Sequence, residues 1–260
     1  MYIKLLKTAM RTQTMYMFEI ICSVITNAIT IIIYSSFWHT LYKDSPIMIQ
    51  RMTEYAVISQ IMSTVLITPI CDLIVEKVRD GDICVEMLRP WNLTFSFFIQ
   101  NFGIIIIRII YNVIPLAFIA MIFFQFSTVC LRELIYFSCS LFLAIIILFL
   151  FRMLLTSFCF WIIEVNALLL LSESLVLIFS GKIIPTDLMP KSLEKILNIM
   201  PFIWIYQKPI ELLQNKGESF SLDIQFFRTI INQGLWILML LLLFGVIWKA
   251  AIKHLIVQGG

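Results

Sequence analysis

Apolar residues run along this chain in long uninterrupted blocks, with the polar residues gathered between them. Residues 20–38, 55–71 and 134–151 contain no Asp, Glu, Lys or Arg. Residues 229–248 form a similar block, almost pure Leu, Ile and Met after Leu235. Residues 99–126 carry one charge, Arg108, and residues 162–180 carry Glu164 and Glu173 in an otherwise apolar run. A bilayer core roughly 30 Å thick needs about 20 apolar residues at a helical rise. These blocks therefore predict six transmembrane helices, with five or seven as the alternatives, and the fourth may extend past Arg152 toward Phe160. A barrel strand alternates apolar and polar positions over about ten residues. Continuous runs fit helices instead, so the expected class is an all-α integral membrane protein.

Composition agrees. Of 260 residues, 61% are hydrophobic and 13% charged, against about 25% charged in soluble domains. The six cysteines mostly fall inside apolar blocks and never form Cys-x-x-Cys, which reads as packing. Lys4, Lys7 and Arg11 precede an apolar run too long for a cleaved signal, so the first span reads as a retained anchor. At helical spacing those cations share one stripe beside an apolar arc of Ile3, Leu6, Ala9 and Met10. Residues 1–17 are thus expected as an interfacial amphipathic helix. Basic residues at both ends place both termini in the cytoplasm by the positive-inside rule, although the outside segment 181–228 then holds six basic residues.

The informative polar stretch is 72–91, DLIVEKVRDGDICVEMLRPW. Gly81 should break a polar helix, with a short second helix ending before Pro90. Mixed charge interleaved with Ile74, Val78, Ile83, Val85 and Leu88 suits either docking of a soluble partner or a solvated loop. This run resembles a stretch of the ABC-2 type permeases, the membrane subunits of one class of ATP-binding-cassette exporter. They share the pattern Asp-x-x-x-Gly-x-(apolar)-x-x-x-Leu-x-Arg-Pro between their second and third helices. Ser180-Gly181, Pro185, Leu188-Met189-Pro190, Asn198, Pro201-Phe202 and Pro209 resemble the family's proline-punctuated segment after the fifth helix. The resemblance covers residues 1–260 as one transmembrane domain.

The resemblance implies a permease without catalytic residues, partnered by a cytoplasmic ATPase that binds ATP and Mg, and by a second permease chain in a homodimer or heterodimer. It makes 72–91 the coupling loop, with Glu76, Arg79, Asp80, Gly81, Asp82, Arg89 and Pro90 as the ATPase-coupling residues. The location implied is the plasma membrane, the direction outward, and no nucleic acid is expected. The chain's own residues agree that ATP binds elsewhere. Gly181-Lys182 is followed by Ile183, without the Gly-rich turn and Ser or Thr of a phosphate loop. Neither a Gly-x-Ser-x-Gly elbow nor paired histidines supply an enzyme site. A charge at mid-bilayer costs about 3 kcal/mol, so Glu173 should face protein or water. Asn166, Glu173 and Ser180 form one helical stripe, and Ser23, Asn27, Thr30 and Tyr34 another. Asn27, Thr30, Asn166 and Glu173 are candidates for the transport path, with interhelical hydrogen bonding as the alternative. Arg108 and Arg152 are expected to snorkel toward an interface. A self-contained secondary transporter or channel is the other functional class, although no internal repeat supports it.

Overall fold

The computed structural model describes residues 2–89, 92–124, 129–162, 165–214 and 219–253, and these form helices joined by short turns, with no strand among them. Pro90 and Glu164 fall outside the described residues. The elements run α1 (Tyr2–Met15), α2 (Met17–Leu41), α3 (Pro46–Val65), α4 (Pro69–Arg79), α5 (Ile83–Met87), α6 (Leu93–Arg108) and α7 (Ile114–Phe123). They continue with α8 (Leu131–Thr156), α9 (Asn166–Phe179), α10 (Lys191–Leu197), α11 (Gln207–Gln214) and α12 (Ser219–Lys253). Among the described residues five helical stretches are long and apolar enough to cross a membrane: α2, α3–α4, α6–α7, α8 with its 3-10 extension to Phe160, and α12. The fourth does run past Arg152. The expected fifth span is shorter than the others, because α9 has 14 residues and reaches only about 21 Å.

Two of the long stretches are interrupted, each at a proline. Thr68 precedes Pro69, and the residue before a proline is pushed out of the helical region. Leu66, Ile67 and Thr68 leave the helix accordingly, and Pro69 opens α4. The Asn101 side-chain amide, fully buried on α6, donates to the freed Ile67 carbonyl at 3.3 Å. Between α6 and α7, residues Ile109–Val113 form a π-turn just ahead of Pro115. A proline has no N–H to give to the preceding turn, and a widened turn accommodates the mismatch.

One main core joins α3, α4, α8, the segment after α9, and α12. It includes Met62, Ile74, Ile147, Phe149, Ile203 and Ile205. By contrast α2 turns Ile21, Ile25, Ile29, Ile32 and Phe37 outward, as a helix facing lipid or another chain does. In α1 the cations Lys4, Lys7 and Arg11 are exposed as expected, while Leu6 and Ala9 pack on α6. Ile3, expected on the apolar arc, is exposed. The approach of α1 to α6 is close. A Cβ at Gly103 would stand 3.0 Å from the Leu6 carbonyl oxygen and 3.2 Å from the Ala9 Cβ. The Tyr2 ring meets Phe95 edge-on at 5.1 Å, which sets α1 beside the end of the 72–91 stretch. All six cysteines are unpaired thiols.

Candidate functional site

Helix α4 ends at Asp80, and Gly81 (φ +82°) makes the turn that lets α5 fold back. Only the conformation demands glycine here, for a Cβ at Gly81 would meet nothing within 4 Å. Ile74 and Ile83 are fully buried and anchor the two helices to the bundle. Glu86 holds the fold-back, pairing with Lys77 Nζ at 2.8 Å and with Arg89 at 3.2 Å. What projects outward is the rest: Glu76, Arg79, Asp80, Asp82 and Arg89 are exposed, beside Val85 (58% exposed) and Leu88 (85%). The structure thus brings six of the seven expected coupling residues onto one hairpin; the seventh is Pro90. Among the described residues Glu76, Arg79, Asp80 and Asp82 form no ion pair, so their charges remain available to a partner.

The expected path residues separate into two places. On α2, Asn27 accepts a 2.6 Å hydrogen bond from Gln60 of α3 and donates to Ser23 at 3.3 Å. Thr30 donates to its own helix at the Thr26 carbonyl. Asn27 and Thr30 therefore tie α2 to α3 and to itself, the interhelical role that competed with a path role. On α9, Asn166 is exposed while Glu173 accepts a hydrogen bond from Arg152 Nη1 at 2.9 Å. Arg152 also faces Asp72 at 3.7 Å. The snorkelling expected of Arg152 is overturned: its side chain is 9% exposed and sits between two carboxylates. Sequence gave no sign of this triad, since Asp72, Arg152 and Glu173 come from three separate helices. Arg108 is largely enclosed and lies 3.9 Å from Glu19 at the start of α2.

These charges border one cavity of about 560 Å³, walled by the α3–α4 break, α8 and α9 and capped by Lys182 and Tyr206. Arg108, Arg152, Lys182, Asp72 and Glu173 all line it. Burial pushes the Lys182 amine below the usual lysine range, and Glu173 partly offsets the shift.

The segment after α9 folds inward. Gly181 turns at φ +77°, and a Cβ there would fall 2.7 Å from Gln207 Oε1 and 3.1 Å from the Tyr55 hydroxyl. Tyr55 donates to the Gly181 carbonyl at 2.5 Å, and Ser59 donates to that of Lys182 at 2.6 Å, both from the middle of α3. Gln207 closes the turn, its backbone N–H donating to the Ser180 carbonyl and its side-chain oxygen accepting from the Thr186 N–H at 2.9 Å. Beneath it Gln233 of α12, fully buried, donates to the Trp204 carbonyl at 2.9 Å and to that of Ser140 at 3.1 Å. Phe202, Trp204 and Tyr206 are buried in the main core. By sequence these three rings of the outside segment suit either a lid over the path or an aromatic belt at the interface; their burial overturns both expectations. Nothing in the sequence marked Gln207 or Gln233 as hubs, because each acquires its partners only through tertiary packing.

With a helical bundle, an exposed charged hairpin and an inward-folded glycine-proline segment established, comparison with known proteins completes the picture. No curated protein matches the chain. The family described as ABC-2 family transporter protein matches residues 45–259, which takes in the hairpin, the cavity and the inward-folded segment. The chain belongs to the ABC-2 transporter family, as a multi-pass membrane component of an ABC transporter.

Proposed function

We propose that this chain is the permease subunit of an exporter driven by a separate cytoplasmic ATPase, with the α4–α5 hairpin as the element that couples the two. The observation that carries the reading is the hairpin's split character. Its buried side, Ile74 and Ile83, is fixed to the bundle, while its outer side carries unpaired charge beside exposed Val85 and Leu88. A short, clamped helix of this kind can transmit a push, because α4 joins the membrane-crossing α3 through only the three-residue break at Leu66–Thr68. Partner recognition commonly joins a small apolar anchor to surrounding charges. ATP and Mg would be bound by the ATPase and not by this chain.

The same reading, with the short α9 as a sixth crossing, puts the hairpin and both termini on the cytoplasmic side of the plasma membrane, which the three exposed cations of α1 favour. A second permease chain would complete the transport path, and the outward apolar face of α2 is available for that contact. The cavity between α4, α8 and α9 is the place where this chain can contact cargo.

The test is recovery of a nucleotide-binding subunit with the tagged chain in mild detergent, beside a variant carrying Asp80→Arg and Leu88→Asp. Recovery with the native chain and loss with the variant is expected. No such subunit with either chain, from cells expressing the neighbouring genes, would overturn the reading in favour of a self-contained transporter or channel.

A further inference from the structure

The cavity between the α3–α4 break, α8 and α9 has an unbalanced lining. Arg152 lies between Asp72 and Glu173, at 3.7 and 2.9 Å, so both carboxylates already share one cation. The two other cations on the wall have no such company. Among the described residues the Lys182 amine has no carboxylate within ion-pair distance and rests 5.7 Å from the centre of the Tyr206 ring. Arg108 has Glu19 at 3.9 Å, an acid that is two-thirds exposed, and its Nε is buried without a hydrogen-bond partner among the described residues. The Thr68 hydroxyl, on a residue only 2% exposed, is likewise unpartnered and lies on the same wall. Buried donors of this kind ordinarily find acceptors, since leaving one unmet costs about 1–3 kcal/mol.

Leu66, Leu148, Leu170 and Leu177 line the same space, with Ser63, Ser172 and Ser174 among them. At about 560 Å³ the cavity falls within the range of small-molecule sites, roughly 300–1,000 Å³. Three cations against two carboxylates, with leucines between them along the wall, suit an amphiphile with an acidic end.

We propose that this cavity binds the acidic headgroup of an amphiphile, a phosphate or carboxylate on an apolar tail, between Lys182, Arg108 and the Thr68 hydroxyl. Arg152 is a positioning residue in this arrangement. By offsetting one of the two negative charges of Asp72 and Glu173 it weakens their repulsion of the anion. The inference deepens the permease reading and rests on it for the meaning of the ligand as cargo, but binding itself can be measured without the ATPase. Two sources share this chemistry: an acidic phospholipid of the bilayer, or a separate acidic amphiphile.

The full-length chain is placed in nanodiscs of phosphatidylcholine and labelled with a dodecyl phosphate bearing a photoreactive diazirine in its tail. Labelling of α8 or α9 peptides is expected, competed by dodecyl phosphate and not by neutral dodecyl maltoside. Lys182→Gln should lower the yield at least fivefold, with Lys182→Arg close to native. Lys182→Gln removes no ion pair, and the comparison of competitors on the native chain stands even if that variant folds poorly. Adding phosphatidylglycerol to the discs separates the sources: reduced labelling identifies the phospholipid, unchanged labelling a separate amphiphile. Equal competition by the neutral compound, or full labelling of a well-folded Lys182→Gln chain, would overturn the proposal. Recovery of the ATPase is scored on the same preparations. Labelling without an ATPase would sink only the coupling reading, and an ATPase without labelling only this one.

Discussion

Two glycines among the described residues have positive φ, and they lie in opposite surroundings. Gly81 turns the hairpin in open space, while Gly181 turns against Gln207 and Tyr55, where even a Cβ would be too close. The stretches around them differ in the same way. Around Gly81 the polar side chains point away from the molecule. Around Gly181 they point into it: Tyr55, Ser59, Gln207 and Gln233 satisfy a backbone that passes through the core. Both look alike in sequence, each a polar glycine-proline interval between apolar helices. On the proposed reading the first serves a partner, while the second holds this chain together.

The contrast ranks the effects of substitution on stability. The largest belongs to Gly181→Val, which adds left-handed strain to a clash with Gln207, roughly 3 kcal/mol together. It should appear as a large drop in the melting temperature of the detergent-solubilised chain. Next comes Arg152→Met. It leaves Asp72 and Glu173 facing each other without their cation, and about 2 kcal/mol is expected because both acids are partly exposed. Glu173→Gln in the same assay should cost less, since Arg152 keeps Asp72. Gly81→Ala should cost only the conformational strain, about 1 kcal/mol. Were it to equal Gly181→Ala, the contrast between the two turns would fail. The smallest effect belongs to Glu86→Gln, which loosens a partly buried clamp, keeps its hydrogen-bonding shape and costs about 0.5 kcal/mol. Its consequence should show instead in weaker retention of the ATPase.

Periodicity and length made the bundle legible, because a bilayer permits few alternatives to continuous apolar helices. Pro69 and Pro115 stand in the sequence at the two interruptions, but only the structure shows how each disturbs its helix. The hairpin was legible to the residue, since Gly81 and its charges act through local geometry. What stayed hidden depends on which helices become neighbours. Arg152 read as a snorkelling cation because both its carboxylates belong to other helices. Phe202, Trp204 and Tyr206 read as surface aromatics because nothing local shows that their segment folds under Tyr55. Asn27 and Thr30 lie on one stripe with Ser23, as spacing required, but spacing cannot say that Gln60 would be the partner.

The most direct test of the division between the two regions is one paired measurement on Leu88→Asp: the melting temperature of the chain, and the amount of ATPase it retains. Leu88 is exposed and touches no part of the core, and such substitutions ordinarily shift stability by less than about 0.5 kcal/mol. The account predicts a melting temperature equal to native with the ATPase lost. A chain that melts well below native, or one that keeps its ATPase in full, would contradict it.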